Sequence, residues 1–489
     1  MSSSRAVLEF NYDISCPFAY IASTRVEALA QRTSATLIWR PVLLGAIYRA
    51  TSAPQGAAGS ASDVFNPTKK AVTGRSMQRT LRRYQIAYNP PPEHPRKSVN
   101  ALRLIHYVPA HERPKLSKAL FRAYWVEGQD VTDSKVLLAI AKDSGVAGAG
   151  SLTEDVFSDP VARKALEDAT ADSIARGAFG VPGFWIPGAT WVDFNGERKQ
   201  GRFYWGQDRM QFVEATLLSL KKGAETSAPP NLKSLMPRCI GSNTLTEKVK
   251  LQFWYDFSSP WAFLGWTQLE RLRRTFGKNL EIEMKPFLLG ILFREIGTPN
   301  EPGASMSEAK ALWSRQDHAD WVDYWNDVNV QEGSPDKPIE FHWADEFPIR
   351  TPTVLRCALV DPNLVPLLYR ACWEQNAKVA NEAVLLEILN NGGYNGAAIL
   401  EKASTPAIKN QLRALTAEAK TVGICGVPSY RLFGKGSNGN WEGRGSIIWG
   451  QDETNVVEDL IVGWDDERSE LVAEAGKAEF GTARTNARL

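Results

Sequence analysis

The stretch LEFNYDISCPFAY at residues 8–20 decides the fold of this chain, because the sequence repeats it at residues 251–263 as LQFWYDFSSPWAF. The repeat places Ser259 opposite Cys16, 243 positions later, and each is followed by a proline. In both copies an apolar run precedes a short polar turn, as at the end of a strand. A proline suits the first position of a helix, where its missing N–H costs nothing. The stretch therefore predicts a strand that leads into a helix, present twice in the chain.

Three further blocks recur in the same order and at nearly the same spacing. They are RPVLLG and KPFLLG at residues 40–45 and 285–290, GVP at residues 180–182 and 426–428, and YWGQD and IWGQD at residues 204–208 and 448–452. Self-similarity in collinear blocks is the mark of a repeated structural unit. The chain is therefore interpreted as a tandem duplication.

The blocks divide the chain into two units, a linker and a tail. We assign residues 1–222 to the first unit and residues 249–463 to the second. Residues 223–248 lack apolar periodicity and include a Ser-Ala-Pro-Pro run, which is typical of a linker. Residues 464–489 are charged and rich in Ala and Glu, and they predict a flexible C-terminal tail.

Each unit is expected to begin as β-α-β, to continue with a helical insertion and to end as β-β-α. Apolar residues at three- and four-residue spacing indicate the helices, and alternating strand formers indicate the strands. This order predicts an α/β fold of two tandem thioredoxin-like domains, each interrupted by a helical insertion. The predicted elements are strands at 6–12, 36–40, 184–186 and 190–194, insertions at 44–174 and 289–420, and a closing helix that ends at 220.

Composition excludes several classes of function. The chain has 57 Lys and Arg against 55 Asp and Glu, a formal charge of +2, so no global field favours nucleic acid. No run approaches about 18 uninterrupted apolar residues, so no membrane span is predicted. Residues 1–10 lack the pattern of a signal peptide. The basic run at residues 79–83 is typical of the solvated face of a helix.

The cysteines are scattered and odd in number. They form no Cys-x-x-Cys pair and no zinc spacing, and the five histidines are equally scattered. The sequence therefore predicts neither a disulfide framework nor a metal site, and it fits a reducing compartment. The five cysteines are Cys16, Cys239, Cys357, Cys372 and Cys425.

Together these motifs resemble the kappa-class glutathione transferases and the bacterial 2-hydroxychromene-2-carboxylate isomerases, which are relatives of the disulfide oxidoreductase DsbA. The resemblance rests on Asp-x-x-Ser/Cys-Pro after a strand, a helical insertion, Val-Pro before a strand, and Gly-x-Asp-Arg before the last helix. Residues 41–51 and 347–351 are especially similar to the isomerase branch. The resemblance implies transfer or isomerisation of a small hydrophobic or aromatic electrophile, with glutathione as co-substrate and no metal.

By this resemblance, the residue before the first proline faces the thiol of glutathione, at a helix N-terminus that favours an anion. Ser259 is the family's usual residue, and its alternative role is that of a helix cap. In the first unit Cys16 takes this place, and Ser15 is a further hydroxyl candidate. A cysteine there is expected to have a depressed pKa, and it either stabilises the glutathione thiolate, forms a mixed disulfide, or is inert. Ala19 and Ala262 stand three residues on, so dithiol exchange is not expected.

The resemblance also implies a site for the glutathione backbone. Val181-Pro182 and Val427-Pro428 are similar to the family's cis-proline site. There the residue before the proline pairs with the cysteinyl backbone of glutathione. We therefore expect all four residues to contribute to binding.

Asp208 and Arg209 match the Asp-Arg pair that holds the γ-glutamyl end, Asp for the ammonium and Arg for a carboxylate. Gln207 precedes them, and Asp452 is the counterpart of Asp208 in the second unit. Glu453 stands there in place of the arginine, which is expected to weaken binding. Glutathione is therefore expected in the first unit.

Lys70, fourteen residues before Tyr84, has the spacing of the lysine that binds the glycine carboxylate, with Lys310 as its candidate counterpart. The chain also has 16 tryptophans, which belong either to the core or to a hydrophobic substrate pocket. Those near the motifs include Trp254, Trp261 and Trp313.

Kappa transferases pair two identical subunits, so the halves are expected to pack as an intramolecular pseudo-dimer. The ending Ala487-Arg488-Leu489 has the form of a peroxisomal address, with the cytoplasm as the alternative location. Two other functions stay open at this point. One is a monothiol glutathione-linked oxidoreductase that uses Cys16, and the other is a catalytically inactive binding protein.

Overall fold

Two four-stranded sheets of matching strand order form the frame of the chain, β2-β1-β3-β4 and β6-β5-β7-β8. The computed structural model describes residues 5–57, 59–221, 231–236, 238–300, 303, 306–436 and 438–464. The strands are β1 (Val7–Tyr12), β2 (Thr36–Pro41), β3 (Gly183–Val192) and β4 (Arg198–Trp205) in the first unit, and β5 (Val249–Tyr255), β6 (Leu280–Pro286), β7 (Ser429–Lys435) and β8 (Trp441–Trp449) in the second.

In each sheet the first two strands are parallel and the other neighbours are antiparallel. Phe10 pairs with Trp39 across β1 and β2, and Phe253 pairs with Met284 across β5 and β6. All residues of β1 after Val7 are buried, because helices cover both faces of the sheet. The predicted pair of thioredoxin-like domains is confirmed.

The helices of the first unit before β3 form the predicted insertion, apart from the first two, which connect β1 to β2. They are α1 (Pro17–Ser23), α2 (Val26–Thr33), α3 (Leu44–Ala50), α4 (Pro67–Arg83), α5 (Val99–Tyr107), α6 (Arg113–Trp125), α7 (Ser134–Asp143) and α8 (Pro160–Ala175), and α9 (Met210–Lys221) closes the unit.

The second unit repeats this plan. Its helices are α10 (Pro260–Thr267), α11 (Leu269–Phe276), α12 (Leu289–Ile296), α13 (Glu308–Gln331), α14 (Pro352–Val360), α15 (Val365–Trp373), α16 (Glu382–Asn391), α17 (Gly396–Ser404), α18 (Pro406–Val422) and α19 (Thr454–Ile461). No helix within the described ranges is long and apolar enough to cross a membrane.

The hairpin of the first sheet differs from the prediction. The predicted strands at 184–186 and 190–194 belong to one strand, β3, which has an irregularity between Ile186 and Thr190. The turn lies further on, where the Asp193 carboxylate accepts the N–H groups of Asn195 and Glu197, both at 2.9 Å. The predicted break at Pro187-Gly188 is therefore wrong, because these residues only distort the strand. The turn at residues 193–197 was not predicted.

The predicted linker is packed against the second unit in the part that the structure describes. Leu232 and Met236 are buried, and the Tyr324 hydroxyl donates a hydrogen bond to the Leu232 carbonyl at 3.0 Å. The fully buried Asp459 carboxylate accepts the N–H of Cys239 at 2.8 Å. Residues 222–230 and 465–489, which include the predicted tail and its peroxisomal ending, lie outside the described residues.

The basic run of α4 does not face solvent, and that prediction is wrong. Arg79 is 1% exposed and donates to Glu453 of the second unit at 2.9 Å. Arg83 donates to Asp459 at 2.7 Å. The run therefore packs against the second unit, where the carboxylates of Glu453 and Asp459 pair with its arginines.

Candidate active site

The turn between β1 and α1 is held by the Asp13 carboxylate. It accepts the backbone N–H and the hydroxyl of Ser15 at 3.0 and 3.1 Å, and the N–H of Leu44 at 2.9 Å. Asp13 is 1% exposed, and burial raises the pKa of its carboxyl. The Ser15 hydroxyl therefore supports the turn, and its role towards a thiol stays a prediction.

Cys16 lies at the start of α1, with its side chain turned inwards. It is 6% exposed, and its Sγ donates a hydrogen bond to the Val181 carbonyl at 3.3 Å. Burial raises the pKa of the Cys16 thiol to about 12, and the N–H groups at the helix start do not offset this. The predicted depressed pKa is wrong, because loss of water around the thiolate outweighs the helix N-terminus.

Both predicted cis-proline bonds are confirmed, Val181-Pro182 and Val427-Pro428. The Pro182 carbonyl accepts the N–H of Gly206 at 3.0 Å, which ties the loop to the Gly-Gln-Asp turn that follows β4. The first unit thus brings its three predicted motifs to one place: the turn at Cys16, the cis-proline loop and the Gly-Gln-Asp turn.

In the second unit the corresponding turn is held in the same way. The Asp256 carboxylate accepts the hydroxyl of Thr351 at 2.6 Å and the N–H of Leu289 at 2.9 Å. The Ser259 hydroxyl accepts the N–H of Ala262 at 3.2 Å, so Ser259 caps α10. The alternative role of Ser259 as a helix cap is confirmed, and its role towards a thiol stays a prediction.

Arg209 is not free to bind a carboxylate of glutathione. It is 7% exposed, and Asp317 of the second unit accepts two hydrogen bonds from its guanidinium at 2.7 and 3.0 Å. Asp208 and Asp452 accept further bonds at 2.8 and 3.0 Å. The predicted role of Arg209 in the glutathione site is therefore replaced by one between the two units. Sequence patterns do not reveal this contact, because Asp317 lies 108 residues further along the chain.

The polar side chains beside Arg209 and those at the matching positions of the second unit differ in their exposure. Gln207 is held by the Arg25 guanidinium at 2.8 Å, and Gln451 accepts the Trp325 indole N–H at 2.7 Å. The Asp208 side chain is 53% exposed and that of Asp452 is 25% exposed. Of these acceptors, Asp208 is the most open to a ligand.

The lysine at the start of α4 that matches Lys310 is Lys69, which corrects the predicted match with Lys70. Each is the third residue after a side-chain cap, since Asn66 accepts the N–H of Lys69 and Ser307 accepts that of Lys310. Lys70 has intermediate exposure.

Each of the two lysines lies against the other unit. The Lys69 ammonium is 5.3 Å from the ring of Trp449, and that of Lys310 is 5.6 Å from the ring of Trp205. Burial lowers the pKa of both, and the charge of Lys69 lowers that of Lys310 further. Neither has a carboxylate partner within the described ranges.

The tryptophans near the motifs differ in burial, since Trp261 and Trp313 are partly buried. Trp254 is fully buried in the core. Trp313 packs on Phe179 of the first unit, with ring centroids 5.5 Å apart, and Trp261 packs on His318 at 5.0 Å. Within the described parts of the chain, no group of three His, Cys, Asp or Glu side chains is arranged to hold a metal ion.

Comparison with known families decides the assignment. The model of the DSBA-like thioredoxin domain matches residues 7–218 and 350–462, which is more than half of the chain. The chain belongs to the DSBA-like thioredoxin family. It is similar to the 2-hydroxychromene-2-carboxylate isomerase of Sphingobium xenophagum, 26% identical over 218 residues, which covers 43% of this chain and 97% of that protein.

Two further comparisons place the DSBA-like units among known proteins. Glutathione S-transferase kappa 1 of Rattus norvegicus is 25% identical over 213 residues, which covers 41% of this chain and 90% of that protein. A solved structure of a 2-hydroxychromene-2-carboxylate isomerase is 20% identical and superposes with a TM-score of 0.35, covering 44% of this chain and 96% of that one.

The two DSBA-like units differ in the side chains around the turn. Equivalent positions in the two units are identified by contacts that both units share. Trp125 and Trp373 each donate a hydrogen bond to a carbonyl of the turn at 2.8 Å, and the His94-Pro95 and Phe347-Pro348 bonds are both cis. The first unit has Tyr20, Tyr48, Tyr88, His94 and Tyr124, where the second has Phe263, Phe293, Phe341, Phe347 and Cys372.

Two of these polar side chains of the first DSBA-like unit, Tyr48 and Tyr88, lie near Cys16. Burial raises the pKa of the Tyr48 and Tyr88 hydroxyls, and the Cys16 thiol is close enough to raise both further. The Tyr124 hydroxyl lies 2.8 Å from His94 Nδ1 and accepts the N–H of Arg96 at 3.1 Å. These residues belong to no motif of the repeat, and only a position-by-position comparison of the two halves reveals them.

Proposed function

We propose that the first unit binds glutathione beside Cys16, and that the chain is a kappa-like glutathione transferase or a glutathione-dependent isomerase. Its substrate would be a small hydrophobic or aromatic electrophile. The observation that carries the proposal is the approach of Cys16 Sγ to the Val181 carbonyl at the cis-proline loop. It brings the thiol-facing position and a backbone pairing group together. The names of the curated relatives, an isomerase and a glutathione transferase, support it.

In this proposal Cys16 acts as a neutral donor. Its raised pKa keeps the proton on Sγ at neutral pH, and a thiol S–H is a weak hydrogen-bond donor. When glutathione binds, the S–H turns from the Val181 carbonyl to the glutathione sulfur. The freed carbonyl then accepts the cysteinyl N–H of glutathione.

This hydrogen bond favours the ionised form of the glutathione thiol, whose proton passes to solvent. The glutathione sulfur then attacks the electrophilic carbon with its electron pair. In transfer, the leaving group departs with the electrons of its bond to that carbon. In isomerisation, the substrate rotates about the bond that has become single, and the thiolate is expelled again.

Asp208 and Lys310 suit the two ends of glutathione. The half-exposed Asp208 carboxylate would accept the γ-glutamyl ammonium. Lys310, which α13 places against Trp205 of the first unit, would bind the glycine carboxylate. In this proposal the two halves pair as a pseudo-dimer, and the second unit thereby completes the site of the first.

A monothiol oxidoreductase that uses Cys16 is the competing function, and the structure gives it less support. Such chemistry needs a thiolate with access to a disulfide. Burial of Cys16 and the raised pKa of its thiol oppose both requirements. Substitution by serine separates the two: Cys16→Ser would keep transferase or isomerase turnover, whereas it would abolish redox turnover.

The proposal is tested by calorimetric titration with reduced glutathione. A charge-assisted hydrogen bond contributes about 1.5–3 kcal/mol, so Lys310→Met is expected to weaken binding roughly tenfold to a hundredfold. Lys69→Met is the comparison variant, because it removes the same residue type where it lies against the second unit, and it should weaken binding less than Lys310→Met does.

Two outcomes count against the proposal. A larger loss in Lys69→Met than in Lys310→Met would move the site to the second unit. Absence of saturable binding at millimolar glutathione in the unsubstituted protein would exclude a glutathione-dependent enzyme altogether.

A further inference from the structure

Helices α4 and α13 occupy matching places in the two units. Their side-chain caps, Asn66 and Ser307, are 241 positions apart. Counting from these caps, Ser76 of α4 matches Asp317 of α13, and Arg79 matches Asp320. Each helix lies against the last strand and the following turn of the other unit.

On α13 the charges are acidic, and the surface of the first unit that they meet is basic. Asp317 binds Arg209 at 2.7 Å, and Asp320 forms an ion pair with Arg202. The side chains of Asp317, Arg209 and Arg202 are 3%, 8% and 5% exposed, so water screens these contacts little.

On α4 the sign of the charges is reversed, with a basic side chain that meets an acidic one. The ion pair joins Arg79 to Glu453, although each directly matching contact has one uncharged partner, Ser76 or Ser446. Arg79 donates to Ser446 at 2.6 Å and to Glu453 at 2.9 Å, and Glu453 also accepts the Ser76 hydroxyl. Ser446 and Glu453 are the counterparts of Arg202 and Arg209, each 244 positions later. The Glu453 that replaces the family's arginine is therefore the partner of Arg79.

We infer that these exchanged charges are a recognition surface by which each unit accepts the other unit of this chain and rejects a copy of itself. Two first units paired in the same way would bring Arg79 against Arg202. Two second units would bring Asp317 against Glu453. Like charges buried together cost several kcal/mol, so both pairings are disfavoured.

The occupant of this surface is the other unit of the same molecule. The described part of the linker supports this, because Leu232 and Met236 pack into the molecule and Tyr324 of α13 holds the Leu232 carbonyl. Asp459 of the second unit contacts both the linker, at the Cys239 N–H, and α4, at Arg83. The linker thus lies beside the surface that pairs the units.

The first test exchanges the charges in the full-length protein. Glu453→Arg places two guanidinium groups together, and Arg79→Glu places two carboxylates together. Each single variant is expected to lower the midpoint of thermal unfolding by about 5 °C. The double variant Arg79→Glu/Glu453→Arg restores an ion pair and should recover at least half of that loss.

The matched control is an exposed pair of the same residue types, Arg163 and Glu167 of α8, whose side chains are 63% and 57% exposed. Its single reversals should shift the midpoint by less than about 1 °C. If the double variant of Arg79 and Glu453 is as unstable as the two single losses added together, the pair does not carry recognition.

The second test measures selectivity between chains. Full-length Glu453→Arg and full-length Arg79→Glu, with different tags, are produced in the same cells. Each carries a mismatched pair, which is relieved when the two chains exchange units. Co-purification of the two variants above the level of two differently tagged wild-type chains is expected. Equal levels would overturn the inference. Neither readout depends on glutathione, so these results are independent of the proposed activity.

Discussion

In the first unit Tyr48 and Tyr88 lie near the turn that carries Cys16. In the second unit Phe293 and Phe341 take their places. The polar rings at the turn that carries Ser259 include Tyr369, which packs on Phe257, and His318, whose Nε2 lies 3.2 Å from the Pro260 carbonyl oxygen. The two turns are held alike, by Asp13 and by Asp256. The difference therefore does not come from the frame. It shows that the two units carry their polar groups at different positions around the turn, and that the second unit contributes α13 to its neighbour.

The largest expected effect is on thiol reactivity. It sharpens the comparison of the two turns because it tests whether Cys16 is a nucleophile. With a pKa of about 12, about one Cys16 thiol in ten thousand is ionised at pH 8. Cys239 in the linker is exposed. Iodoacetamide labelling followed by mass spectrometry should modify Cys239 at least about a hundredfold faster than Cys16. Labelling of both at similar rates would return Cys16 to the list of nucleophiles.

The next effect compares Arg209 with Glu453, the residues that follow the Gly-Gln-Asp turns of the first and second units. Arg209→Met leaves the buried Asp317 carboxylate without its partner, which should lower the free energy of unfolding by about 3–5 kcal/mol. Glu453→Gln keeps an acceptor for Ser76 and Arg79 and should cost about 1 kcal/mol. Denaturant unfolding measures both, and equal losses would contradict the asymmetry.

A smaller effect concerns His318 of α13, whose match in α4 is Met77. Burial lowers the pKa of His318 to about 3, against about 6.5 when unfolded. The unfolded chain therefore takes up this proton first, and stability is lost as the pH falls from 6.5 towards 3.

His318→Met removes this contribution, so the variant should lose roughly 2 kcal/mol less than wild type between pH 7 and pH 4.5. The measurement is the unfolding midpoint in denaturant across that range. Parallel pH profiles for variant and wild type would show that His318 is not buried in its neutral form.

The smallest effect tests the polar lining itself. Tyr88→Phe gives the first unit the residue of the second, and Phe341→Tyr does the reverse. Loss of one hydrogen bond to substrate, about 1 kcal/mol, should lower kcat/KM about fivefold for an aromatic electrophile that carries a hydroxyl or carboxylate. An apolar electrophile should be unaffected, and Phe341→Tyr should change neither. Equal losses with both substrates would make Tyr88 a packing residue.

The repeat and the thioredoxin-like order followed from the sequence, because each block of the repeat is a short run of neighbouring residues, and the two cis-prolines followed from the resemblance to a known family. Pro17 and Pro260 stand at the first positions of helices, and Pro182 and Pro428 lie in the loops directly before β3 and β7. The turn at residues 193–197 was missed because Pro187-Gly188 gave a stronger local signal than Asn195-Gly196.

The parts of the site that were missed depend on pairs far apart in the sequence. Arg209 has the motif of a ligand-binding residue, and only the packing of α13 shows that Asp317 occupies it. The pKa of Cys16 depends on burial, which outweighs the helix N-terminus that the motif reveals. The basic residues of α4 have the spacing of a solvated face, and the acids that neutralise them lie more than 350 positions away.

The exchanged contacts of α4 and α13 also bear on how such a chain can change over generations. In a symmetric dimer every substitution is made twice, once on each side of the axis, so an arginine changed to glutamate would break both copies of its contact at once. Here Glu453 exists in one copy, opposite Arg79, while Arg209 keeps its own partner. Joining the units in one chain has thus freed each from repeating the other, and one half can lose its ligand while the pair still holds together.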